Sequence, residues 1–338
     1  MNKRTKSILQ FVVLLGLGIF IGWLSLRSVA PKKDEIFKAF RNADYFWVGI
    51  SMIVSIFGHL LRAYRWNYLL KPLGYKARLI NASGGVFIGY FANYGLPRMG
   101  ELTRCTIAAR YDKVPFEVAL GTVITERIVD FAVLILVFIL TLLAQFTQLI
   151  GLANQYIFDP LSLKLQSLAN RPVALTVVIV LMLGALIGFL MLRKRMANAL
   201  RGKFGKIIKG FGEGIGSIRQ MEKKGQFILL SLGIWATYFY SMYAAFYAFD
   251  GMSAIGQAEC LTLLLFGTFG VIFTPGGIGV YQALITQLLL YYKLDDVTAA
   301  SFPWLTWGSQ FVMIVSLGIS SLIILPIVNR NKTDVVSQ

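Results

Sequence analysis

The sequence predicts an all-α polytopic membrane protein, with six spanning helices and two broken re-entrant hairpins in inverted-topology repeats. Three observations lead there. Hydrophobic residues are 57% of the 338 and charged residues only 14%, against about 45–50% and roughly 25% in ordinary soluble domains. Six apolar runs come close to, or exceed, the roughly 20 residues that a helix needs to cross hydrocarbon. Two further apolar stretches are broken by Gly and Pro at matching places in the two halves. A water-soluble domain of this length could not bury that much apolar surface, which removes most soluble enzyme classes.

The runs are Ile8–Leu26, Tyr45–Leu61, Val118–Phe146, Val173–Leu192, Phe227–Phe249 and Trp304–Ile327. The first has the flanks of a signal peptide, MNKRTK before it and SVA near its end. Its 19 apolar residues exceed the roughly 7–15 of a signal core, so a retained helix is expected. The broken stretches are Leu79–Arg104, interrupted at Gly95–Gly100, and Cys260–Leu290, interrupted at Pro275–Gly279. Proline lacks an amide donor and glycine leaves helical geometry easily, so each reads as two half-helices around a turn. A pair of kinked spanning helices is the alternative.

Basic residues set the orientation. With the amino terminus inside, the inner connections hold 23 Lys and Arg and the outer ones 8, so both termini are expected in the cytoplasm. In this arrangement the second half (about 172–328) is the first half (about 1–146) turned over, within one membrane domain spanning 1–338. Paired broken segments in inverted repeats are a sequence pointer to a transporter binding site. The connection 193–226 is basic, and Met196, Leu200, Phe204, Ile207, Phe211, Ile215 and Ile218 recur every three or four residues. That pattern fits an amphipathic helix on the anionic inner leaflet or, given its five glycines from Gly202 to Gly214, a solvated loop. The net charge of +17 would point to nucleic acid in a soluble protein. Here the charges lie in short connections, and no nucleic-acid partner is expected. Cys105 and Cys260 read as small core residues, and a single histidine leaves no His-based metal centre; no cofactor is expected.

Three clusters can carry chemistry. In TERIVDF, Glu126, Arg127 and Asp130 fall within about 100° of one helix face, deep in an apolar run. Charges at such depth face a bundle interior or a wet cavity. One reading is a ligand-facing Glu126; the other is a structural pair of Arg127 with Asp130 or Glu126. In NYGLPRMGELTR, a half-helix starting near Pro97 beside Arg98 would form an anion site, with Asn93, Glu101 and Arg104 close by and two guanidinium forks suited to phosphate. In TPGGIGVYQ, Pro275, Gly276, Gly277 and Gly279 leave main-chain groups free to meet a ligand, or make a purely steric turn. Arg62 and Arg65 read as side chains snorkelling to the inner headgroups, and His59 as a core residue.

Together, NYGLPRMGELTR, ITERIVDFAVL and TPGGIGVYQALI resemble the membrane region of lysylphosphatidylglycerol synthases and related flippase-like proteins, from about Ser7 to Ile327. The resemblance implies an inverted-repeat lipid translocator of a prokaryotic plasma membrane. It maps onto Asn93, Pro97, Arg98, Gly100, Glu101, Arg104, Glu126, Arg127, Asp130, Pro275, Gly276, Gly277 and Gly279. The full synthases carry a soluble aminoacyltransferase domain, and only eleven residues follow Ile327 here, so lysylphosphatidylglycerol synthesis is not expected. Relatives often have an acidic residue after the PGGIG turn, where this chain has Gln282.

The leading expectation is translocation of a phospholipid or other polar lipid, anionic, aminoacylated or glycosylated, by a protein that is not an enzyme. A homo-oligomer and a separate lipid-modifying enzyme are the partners it admits. A secondary transporter for an amphiphilic solute is the alternative, and a membrane-embedded transferase a third.

Overall fold

A computed structural model describes residues 15–16, 19–23, 27, 32–95, 99–169 and 221–330. Most of the first apolar run, the fourth run Val173–Leu192, the basic connection up to residue 220, and Leu96, Pro97 and Arg98 lie outside the described residues. All regular structure within them is helical.

The chain divides into two units, 1–141 with 220–338, and 142–219. In the first, helix α1 (Lys33–Asn42) has Asp34 and Glu35 in its first turn and Arg41 in its last, both complementing the helix dipole. Helix α2 (Tyr45–Leu70) starts where the Asp44 carboxylate accepts from the Phe46 amide at 2.9 Å, an N-cap that satisfies an orphan donor. It ends at Pro72 and at Gly74, whose φ of 82° only glycine adopts freely. Helices α3 (Leu79–Gly95) and α4 (Met99–Asp112) follow, then α5 (Phe116–Ala153). The second half of the unit holds α7 (Lys224–Phe246), α8 (Gln257–Phe273), α9 (Val280–Tyr291) and α10 (Asp296–Val328). Asp295 caps α10 by accepting from Val297 and Thr298 at 3.1 and 2.9 Å. In the second unit, the end of α5 passes through a π-helical turn at Asn154–Phe158 into α6 (Asp159–Ala169).

Four stretches are long and apolar enough to cross a membrane: Tyr45–Leu73, Phe116–Lys164, Lys224–Phe246 and Asp296–Val328. They correspond to the second, third and sixth apolar runs, lengthened, and to the fifth, shifted three residues toward the amino terminus. Both broken stretches form two helices each, of 17 and 14 residues and of 17 and 12. At 1.5 Å per residue these arms are about 18–26 Å long, short of the roughly 30 Å hydrocarbon core.

The arms fold back rather than continue as kinked spans. A Cβ on Gly89 would stand 2.8 Å from the Gly100 carbonyl oxygen, and one on Gly270 would stand 2.7 Å from the Tyr281 Cα. The arms of each hairpin therefore meet backbone to backbone, as small residues permit in membranes. The Asn93 side chain closes the first hairpin by accepting from the Gly100 amide at 2.7 Å.

Helix α2 packs along α7, and Ser51 and Ser55 each bond Ser241 across that contact, at 3.0 and 2.9 Å. Helix α3 rests on α10. Reciprocally, α5 packs on α7 and α8 through Val133, Leu134, Val137, Trp235, Leu264 and Leu265. At the far end of the first hairpin, Asn81 bonds both Asp112 and Asn329, which ties α3, α4 and the end of α10 together. Cys105 and Cys260 are both free and buried, as core residues of this packing.

Candidate polar site within the membrane helices

Helix periodicity decides which charges meet. Glu126 and Asp130 are one turn apart on α5 and share a face, about 15 Å along the helix from Phe116. Arg127, one residue on from Glu126, points about 100° away. The shared face meets α2, where Arg62 and Arg65 are likewise one turn apart. Arg62 Nη1 donates to Asp130 Oδ2 at 2.6 Å, and Arg65 Nη2 to Asp130 Oδ1 at 2.9 Å. From α4, Arg104 Nη1 donates to Glu126 Oε2 at 2.5 Å, and Arg65 Nη2 lies 3.5 Å from Glu126 Oε1.

The arginines are held from behind as well. Arg65 Nη1 donates to Ser231 Oγ at 2.8 Å, and Arg62 Nη2 to the Tyr238 hydroxyl at 3.1 Å. The Arg104 guanidinium lies 4.0 Å from the centre of the Trp66 ring, a cation–π contact. Trp66 is itself fixed by its indole N–H, which donates to Thr122 at 2.8 Å. Arg127 sits at the rim, 45% exposed in its side chain, 3.4 Å from Glu101 and 3.6 Å from Asp130.

This corrects two expectations. Arg62 and Arg65 do not snorkel to headgroups: both are buried and bind Asp130. Two carboxylates in an apolar helix need more cation than one local arginine offers, and helix α2 supplies it. Glu126 pairs with Arg104 and Arg65 rather than with Arg127, and no part of it is exposed. An open wet cavity around Glu126 is therefore not what the geometry shows. Arg104 is correspondingly held by Glu126 and not free at the surface, while Arg98 and Pro97 fall outside the described residues.

Between α2, α3, α4 and α5 remains a crevice of about 20 Å³, lined by Arg62, Tyr90, Asn93, Glu101, Arg104 and Arg127 among others. That is room for about one water molecule. Three buried atoms of Arg104 and Glu101 lack hydrogen-bond partners: Arg104 Nε and Nη2, and Glu101 Oε2. His59 packs beside it against the rings of Phe87, Tyr90 and Tyr238 and is buried, as a core residue.

The second hairpin presents no such charges. Its turn is closed by its own backbone, with the Gly277 amide donating to Thr274 O at 2.9 Å. Gly276, Gly277 and Gly279 all have positive φ, which explains three glycines in five residues. Gly276 packs beneath the Tyr94 ring and its carbonyl accepts from Trp307 Nε1 at 2.7 Å, so the tips of the two hairpins touch. Gln282 is buried and accepts from the Gly279 amide at 2.7 Å. The clusters at Glu101–Arg104 and Glu126–Asp130 are thus brought together, whereas Pro275–Gly279 forms a separate apolar turn. Among the described residues, no three His, Cys, Asp or Glu are placed to hold a metal ion.

Helices carrying these clusters in this order fit one family throughout: residues 7–318 match the family described as the lysylphosphatidylglycerol synthase TM region. The chain belongs to this family. Among curated proteins, a UPF0104 membrane protein of Methanocaldococcus jannaschii is 30% identical over 138 residues, 39% of this chain and 38% of that protein. A protein named glycosyltransferase AglD, of Haloferax volcanii, is 21% identical over 131 residues, 38% of this chain and 21% of its own length. The chain thus matches well under half the length of both relatives. No solved structure matches it. The lysylphosphatidylglycerol synthase TM region therefore includes both the charged cluster and the PGGIG turn of this chain, in a multi-pass membrane protein.

Proposed function

We propose that the protein translocates a phospholipid or other polar lipid between the leaflets of a prokaryotic plasma membrane. The observation that carries this reading is the charged cluster of α2, α4 and α5. Arg62, Arg65, Glu126, Arg127 and Asp130 stand in spanning helices, and Glu101 and Arg104 join them from an arm of the broken hairpin. Ionised groups at that depth are expensive to hold and mark pathways for polar cargo. A network that only held helices together could be replaced by apolar side chains at no loss of stability. The family supports a lipid as cargo, and the name of the Haloferax volcanii relative supports keeping glycolipids within the substrate class.

In this reading the two hairpins belong to inverted repeats, both termini are cytoplasmic, and the protein itself makes no covalent change in the lipid. A separate enzyme would supply the modified lipid. A strain lacking the gene, labelled with a membrane-impermeant headgroup reagent, tests it. One lipid class should become under-represented in the outer leaflet. Unchanged leaflet distributions across all classes would refute the reading.

A further inference from the structure

The charged cluster has a tight half and a loose half. Arg104–Glu126, Arg62–Asp130 and Arg65–Asp130 lie at 2.5, 2.6 and 2.9 Å, buried. All three are at or below the roughly 2.7–2.9 Å of charge-assisted N–H···O bonds. Arg127 reaches Glu101 and Asp130 only at 3.4 and 3.6 Å, where the side chains of Arg127 and Glu101 are 45% and 27% exposed. The loose pair stands over the crevice that holds Arg104 Nε and Nη2 without acceptors and Glu101 Oε2 without a donor. Arg104 is 4% exposed, so bulk solvent does not reach its two nitrogens, and the crevice beside them has room for about one water molecule.

We propose that Glu101 occupies an anion site as an internal competitor, and that a lipid phosphodiester displaces it to sit between Arg127 and Arg104. This rests on the lipid-translocation reading above. Charge conservation favours the exchange. Arg62, Arg65, Arg104 and Arg127 against Glu101, Glu126 and Asp130 leave one formal positive charge at rest. Moving Glu101 out to solvent and one singly charged phosphodiester in leaves that balance unchanged. The buried region then never holds an extra uncompensated charge, which is the expensive state. A phosphodiester has two charged acceptor oxygens, as a carboxylate does, but on a tetrahedral centre, so that one can face Arg127 and the other the unpartnered nitrogens of Arg104. Glu101 sits in the first turn of α4, immediately after Gly100, whose amide the Asn93 side chain holds, so a rotamer change frees its carboxylate without moving the hairpin.

Binding to the purified full-length protein in neutral detergent tests this, with short-chain phosphatidylglycerol, a neutral glucosyl diacylglycerol and inorganic phosphate as probes. Glu101→Gln should bind phosphatidylglycerol about fivefold more tightly than wild type, the equivalent of losing a partly exposed competing pair. Arg127→Gln should bind it at least about tenfold more weakly. Neither change should alter glucosyl diacylglycerol binding. Glu101→Ser replaces the glutamine variant if that does not fold. A folded Glu101 variant that binds phosphatidylglycerol no more tightly than wild type would overturn the exchange while leaving lipid binding intact. If inorganic phosphate alone follows the two substitutions and the lipid does not bind, the exchange stands and the lipid reading falls.

Discussion

The second arm of the first hairpin carries Glu101 and Arg104 in its first two turns, whereas the second hairpin has no charged side chain from Cys260 to Tyr292. Both hairpins are short helix pairs folded back on small residues, and both rest a first arm on a long helix of the opposite half. Their attachments differ in kind. Ion pairs from Arg104 to Glu126, with α2 filling in behind, fasten the first. Apolar packing, a backbone-closed turn and the Gln282 bond fasten the second. One architecture thus holds a charged arm and an uncharged arm tip to tip. Among the described residues of the two hairpins, ion-paired charge is confined to the first.

The largest break between the two comes from the first hairpin's ion pairs. Glu126→Gln and Asp130→Asn each strand buried guanidinium groups, and each should lose about 3–5 kcal/mol of stability. Thermal unfolding in detergent reads this directly. A loss below about 1 kcal/mol at both positions would mean that water reaches the cluster. A smaller effect is expected where the second hairpin relies on packing. Gly270→Ala forces a methyl group against Tyr281 and should cost about 1–3 kcal/mol. The smallest belongs to the PGGIG turn. Gln282→Leu removes the acceptor of the Gly279 amide, a capping bond worth about 1 kcal/mol. If the leucine variant instead lost as much as Glu126→Gln, the buried Gln282 would be part of a second polar network.

The sequence makes the hairpins legible because proline and glycine at 95–100 and 275–279 break helices for local reasons, independent of the rest of the chain. The apolar runs are legible for a similarly local reason, their ends less so: the helix that begins at Tyr45 continues past Leu61 to Leu70. The pairing of charges is a tertiary fact and is less legible. Arg127 is the nearest cation to Glu126 in sequence, but a one-residue step turns it away, and the true partners lie 22 and 61 positions off in α4 and α2. A signal was present: Arg62 and Arg65 repeat the spacing of a helix face next to an apolar run, opposite two carboxylates lacking cations. Snorkelling to the headgroups accounts for both arginines equally well in sequence, because exposure and burial of an arginine near a helix end look alike there.

The proposed function requires that the charged arm serve a moving lipid. Proteoliposomes containing the full-length protein and acyl-labelled fluorescent phosphatidylglycerol test it, with a membrane-impermeant quencher reporting arrival in the outer leaflet. Wild-type protein should speed transbilayer movement at least about tenfold over protein-free vesicles, a barrier reduction of ~1.4 kcal/mol or more. Arg127→Gln should keep its unfolding temperature and lose most of that acceleration. Wild-type vesicles no faster than empty ones, or an Arg127→Gln variant as fast as wild type, would contradict the account.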